Sequence, residues 1–308
     1  MVNGKDWMTP KAKALITVSL ALSLALLGAY TTWRTHCGST DFDTYYYAAK
    51  RVVEGSPLYT EVRGVSPYIY PPIFAFVMAP LALMNMETAS FILYALNLAF
   101  AWGSLVLSFR LIFGPKPFAE ATGAIPPLPK ALFAAIASAA LLDNISLLQA
   151  NIAVFFLVMA ALYLAREKRD LPAVFCLAMA ISVKVLPILL LAYFMIKKRF
   201  KMSAAAVFLT AFFIFALPAF SMGPGAAREA TSVWLDENLL RSTARGANFQ
   251  VMGAQFNPNN QSVAALISMW FAHSDPNIAY WKNVAYRYNR FFADMPGLLS
   301  GISEKNLL

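Results

Sequence analysis

An all-α polytopic membrane protein follows from how this sequence spaces its apolar residues. Of its 308 residues, 59% are hydrophobic and only 13% are charged, where a soluble domain carries about 25% charged residues. The apolar residues also come in blocks. Ala14–Trp33, Thr88–Phe109, Asn144–Ala165 and Met202–Ala227 hold no charge, and roughly 20 such residues cross the hydrocarbon of a bilayer. Short alternating segments, the mark of a β-barrel, are missing.

The elements follow in chain order. Lys5, Lys11 and Lys13 hold the N-terminus in the cytoplasm, so a first helix over 14–33 emerges outside as an uncleaved anchor. Residues 34–70 form an extracytoplasmic loop. Apolar runs follow at 71–86 and 88–109, and their parity stays open. The Pro-rich connector 110–130 leads to further runs at 131–142, 144–165, 171–196 and 202–220. Residues 1–220 thus form a transmembrane bundle. Residues 221–308 turn polar and are expected to form an extracytoplasmic cap, with a helix from about Gln261.

One stretch resists a simple topology. The clusters Arg166, Lys168, Arg169 and Lys197, Lys198, Arg199, Lys201 both belong in the cytoplasm, yet the run between them is one span long. Lys184 and Pro187 in "ISVKVLPILL" split it. Either 171–196 is a bent hairpin, or it is a straight helix whose Lys184 points into a polar cavity. A bare lysine at mid-membrane costs roughly 2.5–3.5 kcal/mol unless it is paired or wet.

The same charges bear on partners. The net charge is +9, but the bases sit in short clusters beside apolar runs. That is topology, not a nucleic-acid face. The lipid bilayer is the partner they imply. Cys37 and Cys176 make no disulfide framework, and His36 and His273 stand alone. Neither a metal nor a cofactor is expected.

Polar residues gather where they are expensive. In the first loop, Tyr45, Ala48, Ala49, Val52 and Val53 recur at helical spacing up to Gly55. This is a short amphipathic surface helix starting near Thr44. Asp43 fits a cap or first-turn acid. Asp41 lies further out, without a duty in that helix. Tyr68 and Tyr70 suit an interfacial aromatic belt. Inside the apolar runs stand Asp143, Asn144, Gln149, Asn151 and Lys184. Such groups face a bundle interior or water. Asp143 and Lys184 can pair with one another, or the set can line a site for a charged lipid headgroup.

"DFDTYYYAA" (41–49) resembles the D-F-x-x-Y-Y-x-A-A signature in the first external loop of glycosyltransferase family 87. The similarity continues in "EGSPLY" (54–59), "YPP" (70–72), "LQAN" (148–151), "SVKVLP" (182–187) and "NNQS" (259–262). In "LQAN", Leu148 stands where the family's G-Q-x-N element has glycine. The helix after "NNQS" lacks the arginine that often follows there. The resemblance implies a GT-C-like bundle with extracytoplasmic loops and short surface helices, and further helices after residue 308. It implies an inverting hexosyl- or pentosyltransferase in a bacterial cell membrane, with an extracytoplasmic active site. The donor would be a polyprenyl-phosphate sugar and the acceptor a glycolipid or glycan. Asp41 is the implied catalytic base, and Asp43, Tyr45, Tyr46, Tyr70, Gln149, Asn151, Lys184, Asn260 and Gln261 are the implied substrate-binding residues. A lipid flippase or transporter, which also buries polar groups in broken helices, and a truncated inactive homologue are the alternatives.

Overall fold

The computed structural model describes residues 9–236, apart from 37–39, 61, 63, 64, 66, 117 and 124. Among them the regular structure is entirely helical. In chain order come α1 (Pro10–His36), α2 (Asp41–Glu54), α3 (Pro72–Ala82), α4 (Met86–Phe113), α5 (Phe118–Gly123) and α6 (Pro127–Ser146). Then follow α7 (Asn151–Arg166), α8 (Asp170–Val183), α9 (Leu189–Ile196), α10 (Phe200–Ala211), α11 (Leu217–Met222) and α12 (Pro224–Val233). By length and composition, Met86–Phe113, Pro127–Ser146 and Phe200–Met222 can cross a membrane, and four shorter apolar helices accompany them.

The proline positions explain two interruptions. Pro187 lacks the N–H that would bond Val183, and its ring would clash with that carbonyl. So α8 ends at Val183, Lys184 is extended (φ −143°, ψ 126°), and a 3-10 turn at Leu186–Ile188 starts the next helix. Pro218 disturbs the helix after α10 in the same way. There a π turn at Phe212–Ala216 absorbs the mismatch, and the helix continues.

Contacts at the helix ends fix the course of the chain. Arg199, at the start of α10, donates to the Ala165 carbonyl (2.7 Å) and pairs with Asp170 (3.5 Å) at the start of α8. Both basic clusters therefore lie at one end of the bundle, and 171–196 is a bent hairpin. Arg166 reaches the carbonyls of Arg110 and Leu111, which brings the end of α4 to the same place. At the other end, Arg34 donates to Ser146 (3.4 Å) and Tyr46 to Met84 (2.8 Å). Both ends of α3 lie against α2, through Tyr70 and Met84. This 11-residue helix stays in that end layer. Of the two runs 71–86 and 88–109, only the second runs the length of the bundle.

The main core sits at this second end, where Phe42, Tyr45, Phe74, Leu93 and Ile152 are buried together. Alanine-rich faces of α7, α8 and α10 form a further core around Leu177 and Phe194. Between α4 and α7 the approach is close: a Cβ on Gly103 would lie 2.6 Å from the Phe156 ring.

A charged and amide cluster at one end of the bundle

The first loop helix starts earlier than its periodicity suggests. Thr40 is the N-cap, so Asp41 is the first helical residue rather than a residue outside the helix. Asp43 closes a capping box, accepting from the Thr40 N–H (3.2 Å) and the Thr40 hydroxyl (3.1 Å). Its side chain is buried, with the cap as its visible duty. Gly55 ends the helix in the left-handed conformation (φ 68°). The apolar face of α2 packs on α3 and the core, not on lipid, as Phe42 (0% exposed) and Tyr45 (1%) show.

Tyr68 and Tyr70 are not belt residues. Tyr68 is buried and donates to Pro71 (3.0 Å), while Tyr70 meets the Tyr45 hydroxyl at 3.0 Å. The Tyr45 oxygen also accepts from the Ala150 N–H (3.4 Å). Rings of Tyr59, Tyr68, Tyr70, Phe74 and Tyr45 form a continuous run of tilted and edge-on contacts. Through the Tyr45 hydroxyl this run braces α2 against the loop between α6 and α7.

That loop is shaped by a helix-end motif. Leu148 has φ 52°, the N–H of Gln149 bonds Asn144 (2.9 Å), and that of Leu148 bonds Ile145 (3.0 Å). These are the two bonds of a Schellman motif, whose left-handed position favours glycine. A glycine there, as in the G-Q-x-N element that this stretch resembles, would have a backbone reason, and Leu148 occupies that position with a fully buried side chain. The Asp41 N–H bonds Leu147 (3.0 Å), so the motif and the start of α2 are joined.

The polar side chains here form one ordered chain. Lys184 donates to Asn151 Oδ1. Asn151 Nδ2 donates to Gln149 Oε1 (2.6 Å) and Asn144 Oδ1 (2.7 Å), and Gln149 hydrogen-bonds Asp41. The ammonium can only donate and the carboxylate can only accept. Each amide between them thus has its orientation set. Lys184 makes no ion pair with Asp143. Its Nζ is held by Asn151, while Asp143 is exposed on α6. Lys184 stands level with the first residue of α7, whose 16 residues put it ~24 Å from the basic end at 1.5 Å per residue.

Burial raises the Asp41 carboxyl above the ordinary aspartate value. The Gln149 hydrogen bond and the Lys184 charge oppose that rise, Asp143 adds to it, and Arg34 opposes it. Burial likewise pushes Asp43 up to about 6, against its bonds to Thr40 and with help from the Asp41 charge. Asp41 is only half-buried, so a more basic carboxylate than usual remains open to a ligand.

Of the residues expected at a site, the structure brings together Asp41, Gln149, Asn151 and Lys184, with Asp43, Tyr45 and Tyr70 supporting the scaffold. Tyr46 turns away to Met84, and Asn260 and Gln261 lie outside the described residues. Two residues went unnoticed. Asn97 is wholly buried in α4 and donates to the Gln149 carbonyl (3.4 Å). Its signal was a single amide in the charge-free 88–109 run. Arg34 was visible only as a base closing the first apolar run.

A helical bundle with this apolar surface is a multi-pass membrane protein, and it carries a carboxylate–amide–ammonium chain at one end. The chain belongs to Glycosyltransferase family 87, which matches residues 68–287. It is therefore a polytopic GT-C membrane glycosyltransferase, acting on a sugar donor and an acceptor. The match covers Tyr70, Gln149, Asn151, Lys184, Asn260 and Gln261, and begins after Asp41–Tyr46. No curated protein and no solved structure matches the chain.

Proposed function

We propose that the protein moves a hexose or pentose from a polyprenyl-phosphate donor to a hydroxyl of a glycolipid or glycan. The transfer takes place on the extracytoplasmic face of a bacterial cell membrane, with Asp41 as general base. One observation carries this reading. The half-buried Asp41 carboxylate is linked through Gln149 and Asn151 to Lys184, at the bundle end opposite both basic clusters. Basic clusters mark the cytoplasmic side, so the Asp41 end faces outward. A polyprenyl donor keeps its tail in the bilayer and presents its scissile bond at that level.

The chemistry is a single displacement. Asp41 accepts the proton of the acceptor hydroxyl as its oxygen attacks the anomeric carbon. The bond from that carbon to the phosphate oxygen breaks, and the polyprenyl phosphate leaves with the electron pair. Lys184 stabilises the phosphate charge. Attack opposite the leaving group inverts the anomeric centre.

The test is transfer from a radiolabelled polyprenyl-phosphate sugar by purified full chain and its variants. Asp41→Asn keeps size and hydrogen bonding, and should lower turnover by about 10²–10⁴-fold with donor binding retained. Asp43→Asn should be milder, because asparagine caps helices nearly as well as aspartate. Near-normal turnover by Asp41→Asn, or a larger loss from Asp43→Asn, would remove Asp41 from the role.

A further inference from the structure

A cavity lies at the other end of the bundle. It encloses about 510 Å³ between the last turns of α4 and α7 and the segment after Gly114. Its inner wall is apolar, from Val106, Phe109 and Tyr163. Its rim carries Arg110, Lys116 and Arg166 against a single acid, Glu167.

Three features point to an amphiphilic anion. First, the cations are unequally used. Arg166 caps the end of α4 through the Arg110 and Leu111 carbonyls, and Lys116 pairs with Glu120 at 3.7 Å. The Arg110 guanidinium has no hydrogen bond or ion pair among the described residues. Second, arginines from two helix ends converge here although like charges repel, which an anion between them would offset. Third, the same helix carries exposed apolar side chains near the cavity, Trp102 (59% exposed) and Ile112 (73%). A free phosphate has no use for such a wall, whereas a lipid with its chains attached does. Basic pockets between helices at a membrane interface bind anionic headgroups for this reason.

We infer that this cavity binds the phosphate headgroup of an anionic membrane phospholipid, independently of the Asp41 cluster. Bound lipid would tie the ends of α4 and α7 together at the basic end.

The experiment is native mass spectrometry of the purified full chain in detergent, titrated with dioleoyl-phosphatidylglycerol, dioleoyl-phosphatidylcholine or inorganic phosphate. The variant is Arg110→Gln with Lys116→Gln, which spares Arg166 and its capping bonds. A melting curve in the same detergent checks that it folds. Phosphatidylglycerol should stay bound to the parent protein, and phosphatidylcholine should not. The variant should bind phosphatidylglycerol about 25-fold more weakly, from about 5-fold per charge. Equal binding by a folded variant, or equal retention of phosphatidylcholine, overturns the proposal. So does inorganic phosphate displacing the lipid at the lipid's own concentration. If the double variant unfolds, Arg110→Gln alone, expected to weaken binding about 5-fold, decides by the same criteria.

Discussion

Leu148 offers a test of the loop that carries Gln149, because there glycine should lose its usual disadvantage against alanine. The residue combines two opposed features: φ of 52° in a Schellman motif, and a side chain with 0% exposure. Replacing it with alanine empties buried space at about 2.7–5 kcal/mol, and glycine removes one further buried carbon, worth about 0.8 kcal/mol. Only glycine releases the left-handed strain, worth about 1–2 kcal/mol. Glycine's greater freedom in the unfolded chain takes back about 0.4–1 kcal/mol. Leu148→Gly should therefore be less stable than the parent, yet about level with Leu148→Ala, because these terms cancel. A helix interior instead puts glycine about 1 kcal/mol below alanine. The assay is reversible unfolding in mixed micelles, run on all three proteins. Since the Gln149 and Leu148 backbone bonds survive in both variants, sugar transfer by folded Leu148→Gly should stay near the parent's. A Leu148→Gly protein less stable than Leu148→Ala by about 1 kcal/mol or more, as in a helix interior, would show that the left-handed backbone carries no strain.

The remaining expectations concern charge and orientation. Because the Lys184 charge opposes the rise of the Asp41 carboxyl, Lys184→Met should move the acid limb of the pH–kcat/KM profile to higher pH. It should also weaken donor binding; a limb that stays put would separate Lys184 from the base. Asp43 holds its proton more tightly folded, at about 6, than at the ordinary 3.8. Its contribution is thus present below about 4 and lost as pH rises through about 6. Stability of the parent should fall across that window, and Asp43→Asn should flatten the fall, as pH-dependent unfolding would reveal. With Cys37 and Cys176 replaced, an impermeant thiol reagent outside intact cells should label Lys50→Cys but neither Lys168→Cys nor Lys198→Cys. Labelling of only one of the latter two would break the shared end that Arg199 and Asp170 define, and labelling of both would reverse the orientation.

What the sequence disclosed depended on whether the cause was local. Gly55, the prolines and the charge-free blocks act through neighbouring residues, so the end of α2, the break at Lys184 and the long helices were readable. The start of α2 was missed by three residues. Its first turn is held by a capping box and by the bond from Asp41 to Leu147, more than 100 positions away in the chain. The alternative that pairs Lys184 with Asp143 rests on opposite charge alone. The structure instead puts amides from another helix start around the lysine. Asn97 shows the limit: its meaning lies wholly in the Gln149 carbonyl it reaches, and no pattern within α4 announces that contact.

The use of amides between Asp41 and Lys184 has a chemical consequence. Had the two charges met directly, each would have satisfied the other, and the carboxyl would have been held well down, as a poor base. Breaking such a pair to admit substrate would also be costly. Asn151 and Gln149 give each charge one matching partner and keep the two apart. The carboxylate retains acceptor capacity for a hydroxyl proton, and the ammonium retains donors for a phosphate. Asn144 and Asn97 then fix the two amides from outside, one on the side chain of Asn151 and one on the backbone of Gln149. Separation of the two charges is thus built into the fold.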